Sequence, residues 1–491
     1  MSMETLIKRL ENIMRGDDLS GKVQYLRQIV WMIFLKIYDA KEEEWEFTDN
    51  YISIVPDYLK WREWAVDKQD GKAMTGDDLI YFVNNVLFKT LKDIEIDEQT
   101  PKKHRIVKYI FEDAANYMKD GVKLRQMINA FNEVDFTDYT EAHEFGDMYE
   151  GMLKDLQDSK RDGGEFYTPR ALTDFIVEMV APELGQSIGD FACGTGGFLV
   201  SALKYLIKKY EHTNNPQDRQ IINESLVGIE KKSFPYSLGL TNLILHDVDE
   251  PNISYDNSLK ANVREFEDRE LVDIIVMNPP YGGTEDEIVK KNFPQEHRSG
   301  ETADLFMSLI IHKLRMNGKV GVVLPDGFLF GDDGAKSNIK KQLLNEFDLH
   351  TIIRLPKSVF APYTSITTNV LFFTKNGTGT EKTWFYRLDL PEGYKAFSKT
   401  KPIQSRHFDV VRDWWKNKTE ICDEDGNYKA RAYTKKELEE LNYNFDLCGF
   451  PNKAEEILEP DVLINEYLER KQGLNESIAD ILSKIKEVLE G

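Results

Sequence analysis

Three cysteines in 491 residues, Cys193, Cys422 and Cys448, are too few and too scattered for a disulfide framework or a metal-ligating set. The eight histidines show no metal spacing on a helix either. Long apolar runs are also missing. The longest one near the N-terminus, residues 29–35 ("IVWMIFL"), is followed at once by Lys36, far short of the ~20 residues of a membrane span. The opening "MSMETLIKRLENIMRGDD" carries early charges and no cleavable apolar stretch, so no secretory signal is expected. These absences predict no membrane association and a reducing cytoplasm as the natural location. Basic charge is scarce as well. With 63 Lys and Arg against 85 Asp and Glu, the net charge is −22. Such a surface repels phosphate backbones over a broad footprint, so a more basic partner must do most of the gripping if nucleic acid is the substrate.

What is present suffices for a folded protein: 41% hydrophobic and 11% aromatic residues. The length exceeds what one core usually supports, which predicts two or three units. Residues 1–155 read as a helical domain. "LIKRLENIM", "GKVQYLRQIVWMIFLKIYDAKEEE" and "KHRIVKYIFEDAANYM" place apolar residues at helical spacing. Residues 156–450 alternate apolar strand, tight loop and helix. Strands are expected at 187–190, 226–230, 272–277 and 320–324, and helices at 171–180, 198–209 and 237–246. This alternation predicts an α/β fold with an open parallel sheet covered on both faces. "HTIIRLP" and "TTNVLFFTK" read as later strands, the second a candidate for antiparallel pairing. Between 376 and 450 the pattern weakens; "DEDGNY" has its glycine, Gly426, fourth where a calcium loop needs it sixth, so an ordinary turn is expected. Residues 451–491 form a helical tail in which Leu474, Ile478, Ile481, Ile485 and Val488 make a short apolar seam, suited to its own domain or to a partner subunit.

Four stretches carry candidate chemistry. In "IGDFACGTGGFLV" a strand ends at Asp190, Gly194 and Gly196 permit close backbone approach, and a helix begins near Phe198. Leu199 stands where a dinucleotide fingerprint requires its third glycine, and a glycine-rich turn by itself also has a purely structural reading. Glu230 ends the next strand in "LVGIEKKSF", 40 residues after Asp190. The usual gap to a ribose-binding acid is about 20, and the polar insert "KKYEHTNNPQDRQ" accounts for the excess. A solvated acid at a strand end reads the same way. In "GGEFYTPRALTDFIVEMV", Thr168 is a plausible helix N-cap and Pro169 suits a first turn, which leaves Phe166 and Tyr167 unexplained. Finally, "VDIIVMNPPYGG" ends an apolar strand in two prolines that cannot continue a ladder. Asn278 offers a side-chain carbonyl and Pro279 a backbone carbonyl; together they can accept both hydrogens of an exocyclic amine while Tyr281 stacks on its ring. A near miss, "GDDLSGKV", has Val23 where a phosphate loop needs Ser or Thr, and Asp17 and Asp18 would repel phosphates.

The order "GEFYTPR", "DFACGTGG", "GIE", "NPPY" resembles the S-adenosylmethionine-dependent amino-methyltransferases. With "IVWMIFLKIYDA", "VGVVLPDGFLFG" and "RLPKSVFAPYTSITTNVLFF", most of the chain resembles the modification (M) subunit of type I restriction–modification systems, which are adenine-N6 DNA methyltransferases. The resemblance implies a Rossmann-like methyltransferase sheet behind an all-helical N-terminal domain. It places Glu165, Phe166, Tyr167, Thr168, Pro169 and Arg170, with Gly194, Thr195, Gly196 and Gly197, around S-adenosyl-L-methionine. Glu230 would bind its ribose, and Asp190 would support the turn. Asn278, Pro279, Pro280 and Tyr281 would hold a flipped adenine. Phe191 departs from the proline usual after the motif's Asp, and Asn257 sits where an acid often meets the cofactor's adenine. The implied partners are DNA, a specificity (S) subunit that reads sequence, a second M subunit and a restriction (R) subunit, with the tail contacting S. Two other readings fit parts of the chain: a protein glutamine N5-methyltransferase presenting an amide to the same NPPY, and a non-catalytic scaffold subunit. Cytosine N4 would suit the same acceptors.

Overall fold

The computed structural model describes residues 3–47, 51–68, 71–97, 99–136, 139–154, 167–211, 215–332, 334–423 and 426–449, with positions 464, 468, 471, 472, 475 and 478 of the tail. Residues 1–449 form one compact unit and 450–491 a second. In the second unit the described positions are helical, and Ile464, Leu468 and Ile478 are exposed. Leu474, Ile481, Ile485 and Val488 lie outside the described residues.

The N-terminal part is helical, as its periodicity predicts. Its centre is the helix Lys22–Trp45, apolar almost all round between Tyr25 and Tyr38 and buried there at every position but Arg27 and Lys36. The near-miss loop is only the connection into this helix. Asp17 Oδ2 accepts the Lys119 and Asp120 amides at 2.7 and 3.1 Å, which ties the first connection to the start of the helix Gly121–Asn132. The helical reading of residues 103–118 ran too far; that helix ends at Glu112. A last helix, Tyr139–Lys154, bridges to the helix Ser233–Ile244 that covers the sheet: Phe145 packs on Phe131 and Phe136, while the Tyr149 hydroxyl donates to the Leu238 carbonyl.

The sheet has ten strands: β1 Ile188–Asp190, β2 Leu226–Glu230, β3 Ile253–Tyr255, β4 Val272–Met277, β5 Leu314–Pro325, β6 Asp348–Arg354, β7 Thr368–Thr374, β8 Lys382–Arg387, β9 Ile421–Cys422 and β10 Tyr428–Thr434. Their order is β3-β2-β1-β4-β5-β7-β6-β8-β10-β9. The first five are parallel, and β7 is antiparallel to both β5 and β6. Strands β8 to β10 arise from the stretch whose sequence pattern was weak, with the "DEDGNY" turn joining β9 to β10.

Successive residues of β4 serve opposite cores. Ile274 and Val276 join a core with Phe175, Leu199 and Phe372, while Ile275 and Met277 join one with Leu305, Leu309 and Leu371. A strand covered on both faces needs no polar alternation, which is why its sequence is a nearly continuous apolar run. Because β1 lies between β2 and β4, the connections leaving β1 and β4 diverge and open a crevice at their carboxyl ends.

The helix Arg170–Val180 lies unusually close to β5. A Cβ on Gly321 would stand 2.5 Å from Ile176 Cγ2 and 3.0 Å from Val180 Cγ2. Gly321→Ala is therefore expected to overpack this layer at about 1–3 kcal/mol, read as a lower thermal midpoint with the secondary structure retained. An unchanged midpoint would show that the helix is free to move away.

Candidate active site

The crevice holds a cavity of about 300 Å³, at the small end of the range for ligand sites. It is built by three loops that the fold brings to one place. The turn after β1 is stitched to β2: the Cys193 amide donates to the Ile229 carbonyl at 3.1 Å, and the Gly194 amide to Glu230 Oε2 at 2.9 Å. Gly194 and Gly196 have φ of 53° and 76°, a left-handed conformation that side chains resist. The turn then enters the helix Gly197–Tyr210 directly, and Gly197 and Phe198 at its start line the cavity.

Glu230 is buried at the end of β2. It accepts from Gly194 with one oxygen and from the Lys232 amide with the other at 2.8 Å, so lone pairs remain for a ligand. Burial pushes its carboxyl above the ordinary range, against the opposing Lys232 and Gly194 amides. Asp190 is more enclosed still. Its carboxyl is pushed up to about 8, chiefly by burial, with the Ala192 amide opposing and the Glu230 charge adding.

Arg170 supports the turn from behind. Its Nε donates to Glu150 Oε2 at 2.5 Å, and Nη2 reaches both Glu150 Oε1 at 3.2 Å and Thr195 Oγ1 at 3.3 Å. Asn242 donates to Glu150 Oε1 at 2.6 Å and to the Thr195 carbonyl at 2.9 Å. Burial alone would raise the Glu150 carboxyl, but the Arg170 charge and the hydrogen bonds from Arg170 and Asn242 hold it below the ordinary range. A Cβ on Gly197 would meet Arg170 Nη1 at 1.9 Å, so glycine is what lets the guanidinium lie there.

Thr168 corrects one expectation. The helix begins at Arg170 with Pro169 as its N-cap, whose carbonyl accepts the Leu172 and Thr173 amides at 2.9 and 3.2 Å. Thr168, one residue too early to cap, turns its hydroxyl into the cavity and accepts from Asn278 Nδ2 at 3.2 Å. At the end of β4 the Asn278 Oδ1 accepts from the Tyr281 hydroxyl. Tyr281 meets Phe360 edge to face, centroids 6.5 Å apart, to make an aromatic side to the cavity.

Tyr167, Thr168, Arg170, Asp190, Gly194, Thr195, Gly197, Glu230, Asn278, Pro279, Pro280 and Tyr281 all line this one cavity. Pro169 and Gly196 stand behind it, Gly196 with its α-carbon side against Gly239. Glu165 and Phe166 lie outside the described residues. Asn257 also lines the cavity; its Oδ1 accepts the Leu259 amide at 3.1 Å and its Nδ2 donates to Glu285 at 3.3 Å, so a carboxylate is present beside it after all. Among the described residues there is no metal-ligating cluster, and no helix is long and apolar enough to cross a membrane.

Residues 140–457 match the N-6 DNA Methylase family, and residues 3–131 match the HsdM N-terminal domain family. The methylase subunit of the type I restriction enzyme EcoEI from Escherichia coli is 43% identical over the whole chain and 98% of its own length. The chain belongs to the type I restriction-enzyme methylase subunits. Two solved structures agree. A modification subunit assigned to a type I restriction enzyme from Vibrio vulnificus shares 37% identity, with a TM-score of 0.75 over 89% of this chain and 93% of its own. A chain from a study of type I assembly and conformational transition shares 32%, with a TM-score of 0.81 over 100% and 98%. The fold is thus that of an N-6 DNA methylase.

Glu150, Asn242, Phe360 and Glu285 escaped the sequence reading. Glu150 sits in "DMYEGML" on an amphipathic helix, where an acid ordinarily faces solvent. Only the tertiary packing brings it to Arg170.

Asp190 supplies a test of the electrostatics. A carboxyl raised on folding contributes stability that is fully present below its unfolded value and is lost as pH rises through its folded value. Thermal midpoints of the unliganded chain should therefore decline from about pH 4 to about pH 8 relative to those of Asp190→Asn. Parallel profiles for the two proteins would show that Asp190 is not raised.

Proposed function

We propose that this chain transfers a methyl group from S-adenosyl-L-methionine to N6 of adenine in DNA, as the modification subunit of a type I system. The observation that carries the reading is the convergence, in one cavity, of the Glu230-stitched glycine turn with Asn278 and Tyr281. The chain's donor set fits the cofactor. Glu230 retains lone pairs for a ribose, the glycine turn brings its backbone to the cavity wall, and two buried carboxyls suit a ligand bearing positive charge. When bound, S-adenosyl-L-methionine supplies an electrophilic methyl group.

The residues at the end of β4 prepare the acceptor. Adenine's amine is a weak nucleophile because its lone pair is delocalised into the ring. Asn278 Oδ1 and the Pro279 carbonyl can accept its two hydrogens and favour the more nucleophilic geometry. The Tyr281 hydroxyl takes one lone pair of Asn278 Oδ1, and a second lone pair remains for the amine. The prolines keep this carbonyl free of ladder pairing, and the Tyr281 and Phe360 rings give an extruded base an apolar surface. Catalysis of this kind is chiefly positioning.

The net charge of −22 supports division of labour: a separate S subunit reads the DNA sequence, joined by two M subunits and, for restriction, an R subunit, all in the cytoplasm. The tail, 451–491, is the segment we assign to contact with S.

Transfer of labelled methyl to DNA, with and without the S subunit, tests the reading. N6-methyladenine should form only with S present, and Asn278→Ala should lower kcat by about 10²–10³. Labelling of protein amides instead of DNA would overturn it. Glu230→Gln should weaken cofactor binding by about tenfold or more while the fold persists, and unchanged cofactor affinity would remove Glu230 from the site.

A further inference from the structure

The loop after β4 carries one acid that is turned away from water. Of residues 282–287, "GGTEDE", Glu285 alone is not exposed. A carboxylate so placed needs partners, and Glu285 draws them from two other strand ends. Lys231, which follows β2, donates from Nζ to Oε1 at 2.8 Å, and Asn257, just past β3, donates from Nδ2 to Oε2 at 3.3 Å. On its other side the loop is fixed by the Thr302 hydroxyl, which donates to the Gly283 carbonyl at 2.9 Å. Lys231, Asn257 and Glu285 all line the cavity.

The sheet order decides which end of the cofactor meets them. β3 and β4 lie on opposite sides of β2. With the ribose on Glu230 at the end of β2, the methyl group must point toward Asn278 at the end of β4. The nucleobase then lies on the other side, at the end of β3, where Asn257 and Glu285 stand. Asn257 spends its Oδ1 on the Leu259 amide at 3.1 Å, whereas each Glu285 oxygen has accepted one hydrogen bond and keeps a lone pair.

We propose that Glu285 accepts the exocyclic amine of the cofactor's adenine, with the second amide hydrogen of Asn257 beside it for the ring nitrogen N1; this deepens and rests on the S-adenosyl-L-methionine reading above. The acceptor of the base edge thus comes from the loop after β4 and not from the residue after β3. An acceptor next to a donor complements adenine, whose amine donates beside an N1 that accepts. Hypoxanthine reverses both groups, because its O6 accepts and its N1 carries hydrogen. It would set O6 against the carboxylate and leave both protein groups unpaired, at a cost of about ten- to hundredfold in affinity.

The test measures the binding of two probes to the full chain by calorimetry: S-adenosyl-L-homocysteine and its deaminated form, S-inosyl-L-homocysteine. Wild type should prefer the adenosyl probe by about ten- to hundredfold. Glu285→Gln should bring the two affinities within about threefold of each other, since a carboxamide can present either its oxygen or its nitrogen to the base. Its thermal midpoint, read alongside, checks that the fold persists. Equal affinity of wild type for the two probes would overturn the assignment and leave the cofactor and methylation readings standing. A Gln variant that keeps the preference would overturn it as well, since Glu285 would then only tether the loop. A wild-type chain that binds neither probe would overturn the cofactor reading, and the assignment with it.

Discussion

The largely enclosed pairing of Glu150 with Arg170 is the interaction on which the site depends. It ties the bridging helix Tyr139–Lys154 to the start of the helix Arg170–Val180, and through Thr195 and Asn242 it reaches the glycine turn. Two charges taken out of water cost several kcal/mol each, and only close geometry with further hydrogen bonds offsets this. Here each Glu150 oxygen accepts from Arg170, and one also accepts from Asn242. Losing either charged partner would leave an uncompensated charge in the interior, at roughly 3–5 kcal/mol. The turn's left-handed glycines are held by this surrounding network as well as by their own freedom.

The sheet supplies the second half of the site by ending a strand at the right place. β4 is covered on both faces and so is rigid, and its last residue is followed at once by Asn278 and the two prolines. A side chain one residue past a packed strand inherits that strand's precision. Thr168 then holds the amide nitrogen of Asn278 from a different loop, which orients the carbonyl oxygen. The glycine turn and Asn278 thus meet only because β1 and β4 are neighbours while their connections diverge.

Much of this protein was legible in one dimension because the physics involved is local. β2 and β4 were readable to the residue, since strands covered on both faces must be apolar throughout and end where glycine, charge or proline stops them. The glycine turn, Glu230 and NPPY were readable for the same reason, each being a strand end with its own backbone requirement. The Thr168 cap misled because a Thr-Pro pair fits two registers, and the structure spends the hydroxyl on Asn278. β8 to β10 were missed because their pairing is non-local and β9 and β10 are half-exposed, which weakens any sequence pattern. The sequence by itself determined the ends of β2 and β4, the buried helix Lys22–Trp45 and the residue types of the two loops, because backbone sterics and burial act along the chain; β3 and the start of β5 at Leu314 were not legible in it. Tertiary structure alone decided that Glu150 meets Arg170 and that Phe360 faces Tyr281, because packing brings together groups whose spacing along the chain carries no period.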